Sequence, residues 1–241
     1  MAKVKALKAP RSIHRCDACG HVEAKWLGRC PACQTWNSLI EEVDSAGHVR
    51  TSAAGVADGG APISIVDVRE VLAKDRGSTQ IGELDRVLGG GFVAGSLVLL
   101  GGDPGVGKST LLVQALAGLA AASGARASTS DARRGVLYAT GEESVAQTAM
   151  RARRVGADHA GLSIVAETDV ERILAHAEKT KPAYLAVDSI QTVYTPVLDS
   201  IPGSLAQVRE CASRLMQFAK TTGVPTILVG HVSKDGGIAG P

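Results

Sequence analysis

The sequence predicts an α/β fold with a mainly parallel sheet, preceded by a small four-cysteine ribbon. Three observations carry that reading. Short, nearly continuous apolar runs at 97–100, 135–139, 163–166, 183–187 and 225–229 have the character of strands buried on both faces. Helical stretches separate them, as crossovers in a parallel sheet require. Four of the five cysteines fall in two Cys-x-x-Cys pairs near the N-terminus.

The first element is the ribbon, expected over residues 1–43. Cys16/Cys19 and Cys30/Cys33 form two tight knuckles that can aim four thiolates at one ion, the ligand set of a tetrahedral Zn²⁺ site. A segment this short cannot bury enough apolar surface to fold unaided, so the metal is expected to hold it together. His14 and His21 lie close by but are read as bystanders, because four sulfurs already fill the coordination shell. Trp36 either stacks on a base or, as expected here, packs the ribbon's small core. Net charge is only +2, yet residues 1–36 hold seven Lys/Arg against Asp17 and Glu23, a basic end that could meet phosphates or simply be solvated.

Residues 44–62 are rich in Ala, Gly and Ser without apolar periodicity and read as a flexible linker, which leaves 63–241 as the second domain. Aromatics make up only 3% of the chain, so its core must be built from Ala, Val, Leu and Ile. Thr168-x-x-Glu171 and Ser204-x-x-Gln207 read as capping boxes. The second opens a helix whose Leu205, Val208, Ala212, Leu215 and Ala219 share a face, with Cys211 a small buried residue at its border. Residues 122–134 are polar and small, and read as a surface loop. No apolar run approaches the ~20 residues of a membrane span, and no signal peptide is evident, so a cytoplasmic protein away from membranes is expected.

Chemistry enters at residues 101–110, Gly-Gly-Asp-Pro-Gly-Val-Gly-Lys-Ser-Thr, which satisfy the P-loop pattern from Gly102 to Ser109. An apolar strand precedes this run and a helical pattern follows, the context that the motif requires. Gly102, Asp103, Pro104, Gly105, Val106, Gly107, Lys108, Ser109 and Thr110 are therefore the expected nucleotide-binding residues. Backbone N–H groups and the helix N-terminus would face the phosphates, Lys108 would reach the β- and γ-phosphates, and Ser109 would ligate Mg²⁺. Tyr184-Leu-Ala-Val-Asp188 ends an apolar strand in a carboxylate suited to hold the same Mg²⁺. Glu142 and Glu143 follow another strand, and Glu142 is favoured as the residue that activates water, although Glu143 stays open. His231 ends the strand Thr226-Ile-Leu-Val-Gly230 and could contact the γ-phosphate.

With these residues in hand, the chain resembles the bacterial RadA (Sms) family of DNA-repair ATPases in the RecA-like superfamily. The resemblance rests on the four-cysteine finger, the P-loop, Gly141-Glu-Glu-Ser144, Val187-Asp-Ser-Ile-Gln-Thr192, Gly230-His-Val-Ser-Lys-Asp-Gly236 and Ile81-Gly-Glu-Leu-Asp-Arg-Val-Leu-Gly-Gly-Gly91. It implies a RecA-like ATPase core using ATP, Mg²⁺ and Zn²⁺. It also implies movement on single-stranded or branched DNA, promotion of branch migration with the RecA recombinase, and a homo-hexamer with nucleotide at subunit interfaces. Lys108, Asp188 and Glu142 would then be catalytic, with His231 reporting the γ-phosphate, and Thr192–Ser204 and 234–241 would line the DNA channel. The family continues through a Lys-Asn-Arg-Phe-Gly motif and a further domain that do not follow here, so the chain is expected to be C-terminally incomplete. The alternative is a non-catalytic, nucleotide-gated DNA-binding or scaffolding fragment.

Overall fold

The computed structural model describes residues 12–43, 64, 66, 76–125 and 135–231. The expected linker and the segment from Lys234 to Pro241 lie outside the described residues.

The N-terminal part is a three-stranded antiparallel sheet in the order β2-β1-β3, from β1 (Ser12–Cys16), β2 (Val22–Glu23) and β3 (Leu39–Val43). Its buried cluster consists of Cys16, Cys30 and Leu39 alone. Trp36 is 69% exposed, so the expectation that it packs this core is overturned. The reason is one of size. Two knuckles and three short strands make no second apolar layer that could cover an indole.

After α1 (Gly82–Val87), the larger part alternates strand and helix: β4 (Leu97–Gly102), α2 (Lys108–Ala125), β5 (Val136–Thr140), α3 (Val145–Arg154), β6 (Leu162–Ala166), α4 (Val170–Thr180), β7 (Tyr184–Asp188), α5 (Leu205–Thr222) and β8 (Thr226–His231). All five predicted strands are present. They form one parallel sheet in the order β4-β8-β7-β5-β6. The pleat divides its side chains between two cores. Val136 and Tyr138 pack under α2 and α3 with Leu112, Leu116 and Leu119, whereas Leu137 and Ala139 pack under α4 and α5 with Ile173, Val208 and Leu215. The central strands β5 and β7 are almost wholly buried, as the continuous apolar runs predict. The outer strands β4 and β6 are not, because each has a sheet neighbour on one side only among the described residues.

Local differences from the sequence expectations have simple causes. Helix α2 runs to Ala125, so the start of the expected 122–134 loop is helical, and 126–134 lie outside the described residues. Helix α4 is capped by Asp169, whose carboxylate accepts from the Glu171 N–H, so the capping residue lies one position beyond Thr168. Ser204 caps α5 as expected, but Gln207 does not return the bond. Its buried amide instead donates to the carbonyls of Thr195, Leu198 and Ser200 and accepts from the Thr195 N–H, pinning the loop after β7. The buried face of α5 is accordingly turned: Ala206, Gln207, Cys211 and Phe218 are inside, and Leu205 is exposed. A reciprocal capping box does occur, at Ser144 and Gln147 of α3.

The ribbon and the sheet domain meet at Glu41. This buried carboxylate on β3 accepts from the backbone N–H groups of Asp199 (3.2 Å) and Ser200 (2.9 Å). Burial would raise the Glu41 carboxyl, but the Ser200 and Ser12 hydroxyls and the two N–H donors outweigh it and hold it below the usual carboxylate range.

Candidate nucleotide and metal sites

Parallel registry brings the strand ends to one edge of the sheet. Gly102 at the end of β4 pairs with His231 at the end of β8, and Thr140 at the end of β5 pairs with Asp188 at the end of β7. Since β8 lies between β4 and β7, these ends stand side by side. This carboxyl edge is where ligands bind in such sheets.

The loop 103–107 joins β4 to α2. Gly105 and Gly107 adopt φ of +78° and +97°, and a Cβ at either would meet open space, so backbone conformation rather than crowding calls for glycine. Such alternation turns successive N–H groups into an anion-binding concavity. Lys108, 7% exposed, opens α2 and folds back over the loop. Its Nζ donates to the carbonyls of Gly102 (2.9 Å) and Asp103 (2.8 Å) and stands 3.2 Å from His231 Nδ1. Ser109 and Thr110 follow, half-buried, and Val106 is exposed.

The contact between Lys108 and His231 fixes a tautomer. An ammonium only donates, so Nδ1 must accept, and the ring proton sits on Nε2. That Nε2 donates to Glu142 Oε1 at 3.3 Å, and the Ser189 hydroxyl donates to the same oxygen. A continuous polar chain, Lys108–His231–Glu142–Ser189, therefore joins the P-loop to the residue after Asp188, across a cis Asp188–Ser189 peptide. Glu143 is occupied elsewhere: it pairs with Arg151 and accepts from Thr148 Oγ1 at 3.4 Å. Of the two adjacent glutamates, only Glu142 faces the Lys108 side of the cleft.

Asp188 is 4% exposed, and Tyr138 Oη donates to its Oδ2 at 2.7 Å. Burial, followed by the charge of Asp188, pushes the Tyr138 phenol well up, so it stays a donor. The Ser109 hydroxyl and the Asp188 carboxylate are hard oxygen donors of the kind Mg²⁺ prefers. Sequence reasoning missed Tyr138, Ser189, Glu41 and Arg151. Ser189 lies inside a motif already singled out; the other three become visible only once strand register and helix packing are known.

In the ribbon, the sulfurs of Cys16, Cys19, Cys30 and Cys33 all lie within 4.8 Å of one another. Cys16 Sγ stands 3.5 Å from Cys33 Sγ, and Cys19 Sγ stands 3.7 Å from Cys30 Sγ. Four sulfurs at ~2.3 Å from a tetrahedral ion are separated by about 3.8 Å, so the cluster fits zinc. The Ser38 hydroxyl lowers the Cys16 thiol to about 6. At Cys19 a hydrogen bond from the His21 N–H is outweighed by burial and the neighbouring sulfurs, which push it up to about 12. A divalent cation is what would let four thiolates coexist. Neither histidine joins the cluster; His21 pairs with Glu23 at 2.9 Å. Cys211 is fully buried in the core beneath α5, and burial pushes its thiol up to about 12.

Residues 64–237 match a family described as AAA domain. The chain belongs to the AAA-domain family. Ahead of this AAA domain, residues 14–41 match a rubredoxin metal binding domain, in keeping with the cysteine cluster. The chain is 46% identical over 231 residues to the DNA repair protein RadA of Bacillus subtilis, covering 94% of this chain and 48% of that protein. It is also 46% identical over 237 residues to the RadA of Pseudomonas aeruginosa, covering 97% of this chain and 49% of that one. It thus spans about half the length of the curated relatives it matches. Among solved structures it is similar to an ATPase domain, with a TM-score of 0.52 and 15% identity over 66% of this chain and 65% of that one. That likeness concerns the fold alone, an α/β domain with a mainly parallel sheet, as the sequence predicts. No helix among the described residues is long and apolar enough to cross a membrane.

Proposed function

We propose that this chain is the ATP-hydrolysing part of a DNA-repair ATPase whose turnover is coupled to single-stranded or branched DNA. The supporting observation is the polar chain that runs from Lys108 through His231 to Glu142 and Ser189, because it ties the phosphate-binding loop to a carboxylate held at the edge of the same cleft.

The residues divide the work as follows. The 103–107 loop and the start of α2 hold the phosphates, and Lys108 exchanges the Gly102 and Asp103 carbonyls for phosphate oxygens. Ser109 and Asp188 would hold Mg²⁺, which when bound would neutralise phosphate charge. Glu142, oriented by Ser189, takes the proton of the attacking water. Once Lys108 turns to phosphate, His231 Nδ1 loses its donor, so the imidazole registers whether the site is filled. Zn²⁺ holds the 1–43 ribbon, 44–62 is a tether, and 63–241 is the ATPase unit. Branch migration together with RecA, assembly into a hexamer, DNA contacts from Thr192–Ser204 and 234–241, and a cytoplasmic location complete the reading.

The test measures ATP binding and turnover, with and without single-stranded DNA, in wild type, Lys108→Ala and Glu142→Gln. Glu142→Gln is expected to keep ATP binding and lose turnover about 10²–10⁴-fold, whereas Lys108→Ala loses binding as well. Turnover in Glu142→Gln equal to wild type would remove Glu142 from the mechanism. A wild-type protein that binds ATP without turning it over would leave a nucleotide-gated scaffold.

A further inference from the structure

The ribbon carries a feature that metal binding does not use. The chain has two tryptophans, Trp26 and Trp36, both within the ribbon, and they are 56% and 69% exposed. Leu27 beside them is 42% exposed. Large apolar side chains gathered in the open mark an interaction surface more often than a packing fault.

Their arrangement is specific. A Cβ placed on Gly28 would stand 3.6 Å from Trp26 Cη2 and 3.8 Å from Trp36 Cζ3, so the benzene edges of the two indoles converge over a residue without a side chain. The support is rigid. Arg29 and Trp36 form an antiparallel bridge, and the Asn37 N–H donates to the Gly28 carbonyl at 2.9 Å. The Arg29 guanidinium lies 5.6 Å from the centroid of the Trp36 ring, held by 2.8 Å bonds to the Gln34 carbonyl and to Gln34 Oε1. The charge pattern selects the partner. From Ala24 to Ile40 there is no Asp or Glu, and Lys25 and Arg29 are the charged residues. The Trp36 ring beside the Arg29 guanidinium, with no carboxylate on the same loop, suits an unpaired base followed by its phosphate.

We infer that Trp26 and Trp36 form a stacking platform for single-stranded nucleic acid, placed on the metal ribbon and separate from the ATP site. The inference rests on the DNA-coupled reading above and names where the ribbon would touch the strand. Stacking needs bases freed from pairing, so single strands are preferred over a duplex of equal length.

Because the chain holds no other tryptophan, emission excited selectively at tryptophan, at wavelengths its three tyrosines do not absorb, reports on this platform alone. The zinc-loaded full chain is titrated with an oligothymidylate and, in parallel, with a duplex. The oligothymidylate is expected to quench the emission to saturation, and the duplex to quench it far less. Trp26→Ala and Trp36→Ala are each expected to weaken single-strand binding at least ~5-fold, read by the anisotropy of a labelled oligonucleotide. Both should retain bound zinc and DNA-independent ATP turnover. Trp36→Phe, which keeps a smaller ring, should fall between Trp36→Ala and wild type and guards against a misfolded alanine variant. Single-strand binding that leaves the emission and the variants' affinities unchanged overturns the platform while the DNA-coupled reading stands, and would leave the indoles to a protein partner. A wild-type chain that binds no single strand overturns the DNA-coupled reading, and the platform with it.

Discussion

Replacing Tyr138 with Phe deletes one buried oxygen beside Asp188 and leaves the ring in place. Tyr138 is 1% exposed and packs among Leu112, Leu116 and Ile227, so the variant opens no cavity of consequence. It does remove the donor that holds Asp188 Oδ2 at 2.7 Å, with Asp188 itself only 4% exposed. A hydrogen bond to a buried charge contributes about 1.5–3 kcal/mol, so about 2 kcal/mol of stability should be lost. For a chain of this size that corresponds to a fall in Tm of about 4–8 °C. The functional effect is separable. A group that orients a metal-binding carboxylate typically changes metal affinity or activity by 10–100-fold when removed. Turnover measured against Mg²⁺ concentration should therefore show a half-maximal Mg²⁺ raised about 10–100-fold, while ATP binding without Mg²⁺ stays at the wild-type level. Thermal melts followed by circular dichroism supply the stability arm. A Tyr138→Phe protein with a lowered Tm but an unchanged Mg²⁺ requirement would refute the argument, because the phenol would then serve packing alone.

Two further outcomes are expected. Glu41→Ala removes the acceptor of the Asp199 and Ser200 N–H groups, and should lower stability by about 1–3 kcal/mol in urea unfolding. Since the Glu41 carboxyl is held below its unfolded value, its contribution is complete above pH ~4.3 and is lost as pH falls further. The wild-type and Glu41→Ala stability curves should therefore converge on acidification, and a constant gap down to pH ~3 would contradict this. Gly141→Ala would bring a Cβ to 2.1 Å from Thr192 Oγ1, the hydroxyl that donates to the Ser189 carbonyl at 2.8 Å. Displacing Thr192 disturbs the residue that orients Glu142, so turnover should fall at least ~10-fold alongside a loss of about 1–3 kcal/mol. Wild-type turnover in that variant would show that Ser189 needs no such support.

The parts of this molecule legible in the sequence are those set by local pattern. Apolar runs mark all five sheet strands, although only β5, β7 and β8 are buried along almost their whole length. Spacing gives the P-loop and the cysteine pairs, because phosphate cradles and tetrahedral sites impose fixed separations. What pattern cannot supply is register. That His231 lies beside Lys108 depends on β4 pairing with a strand more than a hundred residues away, and the partnership of Tyr138 with Asp188 on β5 lying next to β7. Gln207 shows the other limit. Its spacing from Ser204 fits a capping box, yet burial offered its amide three loop carbonyls and outweighed the local option. Trp36 failed as a core prediction for a related reason, since indole size argues for burial only where there is enough protein to bury it.

The position of β8 has a consequence for how the chain is made. Among the described residues β4 pairs with β8 alone, and β8 begins more than a hundred residues after β4. At about 5–20 residues per second, the interval between synthesis of the P-loop strand and of its partner is on the order of 6–25 s. For that time β4 lacks its sheet neighbour among the described residues, and an unpaired strand edge recruits neighbours of the wrong kind. The Lys108–His231 edge of the sheet cannot form until β8 slides between β4 and β7. Nascent chains stalled before residue 226 should thus be the species most in need of chaperones, and no nucleotide can rescue them.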